Sequence, residues 1–211
     1  MTGVQTCALP IFLIPTIWFT PWSIDHFYMR TFATFAVRHP MVLSSLRILE
    51  PLGIDFYDDD LDDLSMAFAE REARWVEEQV DVLRSYDREG MDDAGKLSFD
   101  VLEWFLLDLV DGSRFMYHDY PVNQLFGIQS GLPDFMINTH QINSPGDAKD
   151  YVTRVGKFGI AFDQVLEGLR HREELGIVPP LFVVQRVLKE MRDFTASDPV
   201  EQVLYTHFAS E

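Results

Sequence analysis

The sequence predicts an all-α protein, and three observations carry that prediction. Apolar residues recur at i, i+3 and i+4 along most of the 211-residue chain, the spacing of one helix face. Helix-start signals at Ser23, Ser65, Asp92 and Ser144, with Pro or Gly stops between them, punctuate the pattern at helix-sized intervals. No stretch shows the alternation of a half-buried strand. The long departure is 114–143, whose roughly 30 residues lack a clear period, whereas irregular ordered loops seldom exceed ~12–15 residues. Its apolar content, from Phe115 and Tyr117 to Phe135 and Met136, predicts an ordered loop packed on the core, partly as a short helix or extended segment.

The elements follow in order. Ser23 caps a helix to about His39, with Ile24, Phe27, Tyr28, Thr31, Phe32 and Phe35 on its buried face. Pro40 opens a second helix carrying Met41, Leu43, Leu46, Ile48 and Leu49, and Pro51 and Gly53 end it. Ser65 caps a long helix to about Tyr86, built on Phe68, Trp75, Val76, Val80 and Leu83. Asp92 or Asp93 caps the next, Ala94 to about Val110, before Asp111-Gly112. Ser144-Pro145 starts one long helix to about Leu175, with Tyr151, Val152, Val155, Phe158, Phe162, Val165, Leu166 and Leu169 on one face. Gly156, Gly159 and Gly168 share that face; glycine costs ~1 kcal/mol in a helix interior, so the close approach of another helix is the expected reason for them. After the turn at Gly176–Pro180, two helices remain, 181–195 and 200–209, the last capped by Asp198 with Pro199 in its first turn.

Charge narrows the partners. The chain carries 34 acidic and 17 basic residues, a net −17, so it repels phosphate backbones and anionic lipid. No nucleic-acid partner is expected. The apolar run 8–19 is too short and too broken by Pro10 and Pro15 for a membrane span, which needs ~20 residues. A single cysteine, Cys7, leaves no internal disulfide. The aspartate-rich stretch Asp55–Asp63 fails as a calcium loop, because Asp63 stands where glycine is required and Ala69 where the bidentate Glu is required. It reads as a solvated loop feeding the next helix.

No complete catalytic constellation is present. The six histidines include no H-E-x-x-H zinc helix, and no phosphate-binding loop or nucleophile elbow occurs. No catalytic residue and no metal ligand is therefore assigned. The stretch 117–133 stands apart because it packs polar and aromatic residues among large apolar ones. Its substrate-cleft candidates are His118, Asp119, Tyr120, Asn123, Gln124 and Gln129. His118-Asp119 could serve a metal or a proton relay, or satisfy loop backbone, and the structural role is favoured. The amides of Asn123, Gln124 and Gln129 could hold a peptide backbone, although such amides more often tie a loop to itself.

Two resemblances follow from particular residues. Residues 1–11 (Met-Thr-Gly-Val-Gln-Thr-Cys-Ala-Leu-Pro-Ile) resemble a translated sequencing adapter, so the natural start is expected to be missing and the gene to come from a short metagenomic contig. On that reading 1–11 is artefact, 12–22 a lead-in and 23–211 a helical domain. Tyr-His-Asp-Tyr-Pro-Val-Asn-Gln-Leu-Phe-Gly-Ile-Gln-Ser-Gly-Leu-Pro (117–133) resembles the bacterial "domain of unknown function 885" family. So do 43–50, 83–87, 97–106, 162–170 and Gly-Ile-Val-Pro-Pro at 176–180, all in the family's order.

The resemblance implies a large, mostly helical protein related to zincin metallopeptidases, secreted, periplasmic or lipoprotein in many members. It implies that this chain is the N-terminal region of such a protein, truncated before the family's H-E-x-x-P-G-H-H zinc stretch. No cofactor is then expected in this fragment, and zinc only in the full-length parent. The partner would be the missing C-terminal catalytic part, and the substrate a peptide. The chain would form the helical wall or lid of the cleft and be inactive by itself. The alternative is a helical binding module without catalysis in any form.

Overall fold

The computed structural model describes residues 20–211, so the adapter-like segment 1–11 and most of the lead-in 12–22 lie outside the described residues. Among the described residues the regular elements are helices. The chain divides into two compact units, each made of two stretches: Met1–Arg38 with Ala69–Arg114, and His39–Phe68 with Phe115–Glu211.

In the first unit, α1 is Ile24–Arg38, α3 (Met66–Arg84) supplies its residues from Ala69 onward, and α4 is Asp93–Ser113. Ser23 Oγ accepts from the His26 N–H at the start of α1, and Asp92 accepts from Gly95 N–H (2.8 Å) at the start of α4, as their residue types predict. Phe27, Val76, Val80, Leu83, Phe99 and Leu106 form the core of this unit, one stripe from each helix. Ion pairs edge it: Arg38 with Glu72 (2.7 Å), Arg84 with Glu103 (2.7 Å) and Arg88 with Asp100 (2.6 Å).

The second unit holds α2 (Pro40–Leu46), α5 (Ile128–Asn138), α6 (Pro145–Gly156), α7 (Phe158–Glu174), α8 (Leu181–Ala196) and α9 (Val203–Ser210). Its core has two clusters, Leu61, Leu132 and Ala161, and Phe135, Met136 and Tyr151. Asp62 Oδ1 accepts from Met41 N–H (2.9 Å) and so caps α2 from a distant loop.

Several boundaries differ from the expectation. The 114–143 stretch is not one long loop: its second half is α5, entered at Gly127 and containing Pro133. Gln129, Leu132, Pro133 and Met136 are buried on one face at i, i+3, i+4 and i+7, a helical period hidden by the proline and by a polar residue on the buried side. α2 stops at Leu46, ahead of Pro51, because Arg47 takes the left-handed conformation (φ 54°), and Pro51 lies in a separate 3-10 turn, Glu50–Leu52. The expected 144–175 helix is two, divided at Lys157, whose N–H turns back to the Arg154 carbonyl (3.0 Å). Ser144 does cap it, accepting from Asp147 N–H. Asp198 and Pro199 form a turn instead of a helix start, with Asp198 Oδ1 accepting from Val200 N–H (3.1 Å), and α9 begins at Val203. The aspartate-rich loop is pinned as well as solvated: Tyr57 and Leu61 within it are buried.

The glycines on α6 and α7 do not mark a close helix approach. A Cβ at Gly156 or Gly159 meets nothing within 4 Å, and at Gly168 it meets the Arg172 guanidinium at 3.0 Å. Gly159→Ala is accordingly expected to raise stability by about 0.5–1 kcal/mol, read as a higher urea midpoint at unchanged slope. A lowered midpoint would reinstate the helix-approach explanation.

Candidate functional site

Two places in the second unit gather polar side chains. One is the predicted stretch, now residues 115–129. The other centres on Arg154, which sequence reading left unmarked.

Arg154 lies on the buried side of α6 between Tyr151 and Phe158, and it is 0% exposed. Its Nε donates to the Asp60 carbonyl (2.7 Å), and Nη2 donates to the Tyr57 carbonyl (2.8 Å) and to Ser44 Oγ (3.0 Å). Nη1 donates to His140 Nδ1 (2.8 Å), and the guanidinium stacks over Phe135 at 5.0 Å. Asp58 stands 3.8 Å away. Burial pulls the Arg154 pKa down, and the carboxylates of Asp58, Asp59, Asp60 and Asp62 oppose it.

A guanidinium has no lone pair to accept with, so His140 Nδ1 is the unprotonated nitrogen, and Nε2–H donates to the Asp147 carbonyl (3.1 Å). Burial, assisted by the Arg154 charge, lowers the His140 pKa. Ser44, Asp58 and His140 share the wall of a cavity of about 220 Å³ with Glu50, Asp55 and Asp147. Those three residue types suggest a nucleophile, a base and an orienting acid. The wiring forbids it: Ser44 donates to Asp58 (2.7 Å) and not to His140, and both His140 nitrogens are occupied. The network holds structure. The sequence signal for it was a charged residue at a position where the helical period demands an apolar one.

The 115–129 segment is fastened at several points. Arg172 on α7 pairs with Asp119, donates to the Met116 carbonyl (3.3 Å) and lies over the Tyr117 ring at 5.6 Å. His118 turns instead to Phe115, ring edge to face at 5.6 Å. The structure therefore parts His118 from Asp119, and the two form no shared relay. Asn123 Oδ1 accepts from the backbone N–H of Leu125 and Phe126 (both 2.9 Å), and its Nδ2 donates to the Tyr120 carbonyl (2.8 Å). Gln129 Nε2 donates to the Asn123 carbonyl (2.7 Å) and to Glu190 on α8 (3.2 Å). Two amide oxygens, on Gln124 and Gln129, are buried without a partner. Gly127 sits in the pinch between the Gln129 oxygen and the turn, where a Cβ would fall 2.1 Å from Gln129 Oε1 and 2.4 Å from the Asn123 carbonyl.

Asn123 and Gln129 thus tie the loop to itself, and what the loop displays is apolar. Leu125 is 71% exposed and Phe126 91%, with Tyr120 beside them in the chain also exposed. Sequence reading selected the polar residues of the stretch and passed over these two. Among the described residues no three His, Cys, Asp or Glu side chains converge as a metal-binding group. Among the same residues no helix is long and apolar enough to cross a membrane.

The bacterial proteins of unknown function grouped as DUF885 match residues 49–211, and the chain belongs to that family. No curated protein and no solved structure matches it.

Arg154→Met is expected to destabilise the second unit by roughly 3–5 kcal/mol, since its neighbours lose a buried charge that satisfies them. Chemical denaturation measures it. Because the folded His140 pKa is depressed, its contribution to stability is present above the ordinary histidine value of about 6.5 and is lost as pH falls through the depressed value. Denaturation midpoints across that range should fall with acidity in the parent and fall less in His140→Asn.

Proposed function

We propose that the chain is the helical substrate-binding part of a peptidase-like protein, with the 117–129 segment as a wall of the peptide cleft and with no catalytic residue of its own. The peptidase half of this reading rests on the resemblance described above. The wall half rests on one observation: a loop clamped by Arg172, Asn123 and Gln129 holds Leu125 and Phe126 out toward solvent. Loops that present apolar side chains on a rigid support bind extended chains at low entropic cost. His118, Asp119 and Tyr120 flank the display, and their exposure suits them to its rim. The ordered amides of Asn123 and Gln129 act as the support.

A fluorescein-labelled unstructured peptide rich in Phe, Leu and Ser is the probe. The parent chain should bind it with measurable anisotropy change, and the double variant Leu125→Ser, Phe126→Ser should bind at least about tenfold more weakly, ~1.4 kcal/mol, at an unchanged melting temperature. Equal binding by both overturns the cleft wall. The alternative of a binding module with no catalytic parent passes the same test, and on both readings dialysis against zinc should leave none bound to this chain. Tight stoichiometric zinc would place the metal chemistry here and overturn the division of labour.

A further inference from the structure

The first unit carries a feature independent of that loop. α4 is apolar on two sides. Phe99, Leu102, Leu106 and Val110 face the core. Leu97, Val101, Trp104, Phe105 and Leu109 form a second stripe at i, i+4, i+7, i+8 and i+12, and all five are exposed, Leu97 by 64% and Trp104 by 68%. A helix apolar on both sides is normally covered on both. Singly exposed apolar residues need no explanation, but a continuous row over three helical turns does.

The charge on this stripe selects what covers it. Asp108 stands inside the row and Asp111 at its edge, and neither is ion-paired among the described residues. The carboxylates of the neighbouring side are already taken, Asp100 by Arg88 and Glu103 by Arg84. No Lys or Arg stands in the stripe. A second copy would bring Asp108 against an apolar row or another Asp108, between two chains of net charge −17. A bilayer would draw Asp108 toward the acyl region, where a carboxylate is costly.

We propose that the outer face of α4 docks an amphipathic helix of another polypeptide, whose apolar face is edged with Lys or Arg that answer Asp108 and Asp111. Such a helix lies along the row with its leucine-type side chains around Trp104, the largest and most exposed of the anchors.

The test uses the full chain and two designed peptides of about 18 residues, five helical turns, with the same leucine face and either Lys or Glu along its edges. The Lys peptide should bind with a change in Trp104 fluorescence, and its affinity should fall as salt rises. The Glu peptide should bind at least about tenfold more weakly. Trp104→Ala should weaken the Lys peptide at least about tenfold, and Asp108→Asn should weaken it while flattening the salt dependence; both positions are exposed, and unchanged helical circular dichroism confirms the fold. Equal binding of both peptides overturns the charge selection. A dimer by sedimentation that Trp104→Ala abolishes assigns the face to a second copy and overturns the proposal. Binding to neutral phosphatidylcholine vesicles with none to the Lys peptide assigns it to lipid and also overturns it.

Discussion

A buried guanidinium has donors in a fixed plane and no tolerance for leaving them unmet. Arg154 therefore dictates where four separate pieces of its unit sit: the aspartate-rich loop that offers two carbonyls, Ser44 on α2, His140 after α5, and the Phe135 ring. The carboxylates around it are arranged by the same need. Asp58 orients Ser44, Asp62 caps α2, and Asp60 draws Lys157. What looks in sequence like an excess of negative charge is in part the counter-field of one arginine.

That explains what could and could not be read beforehand. Caps such as Ser23, Ser65, Asp92 and Ser144 are local, so their residue types announce them and the helices begin where expected. Arg154 acts over 94 residues to Asp60 and 110 to Ser44, and its one local trace, a charge between Tyr151 and Phe158 on the apolar face, names none of those partners. The bounds of α5, expected only as a short helix somewhere in 114–143, escaped for a different reason. Pro133 and Gln129 disguise a sound helical period, because each is a residue type expected elsewhere. The glycines of α6 and α7 misled in the opposite sense, since a low helix propensity was assigned a packing cause that the open space beside them does not supply.

The stretch 117–133 was recognisable as unusual, and its polar residues were recognisable as ordered. Their roles divide in three dimensions. Asn123 and Gln129 work inward as scaffolding, Asp119 is spent on Arg172, and Leu125 and Phe126 face outward. The physical reason is general: short amides satisfy backbone groups in tight turns, and a turn that has satisfied itself is free to hold out side chains that gain nothing by folding.

The interleaving of the two units bears on how the protein is made. Each unit draws on two stretches of chain, and 69–114 of the first separates the halves of the second. A ribosome emitting the chain in order delivers the aspartate loop long before α6 exists, so its carbonyls and carboxylates wait in water for a guanidinium nearly a hundred residues away. At ~5–20 residues per second that interval is roughly 5–20 seconds. Through it the second unit remains an open claim on sequence not yet synthesised, whereas the first can close as soon as α4 emerges. Order of assembly is thus written into the connectivity: the later partner of an early loop is a single arginine, and its arrival ties that loop down while α7 to α9 are still to follow.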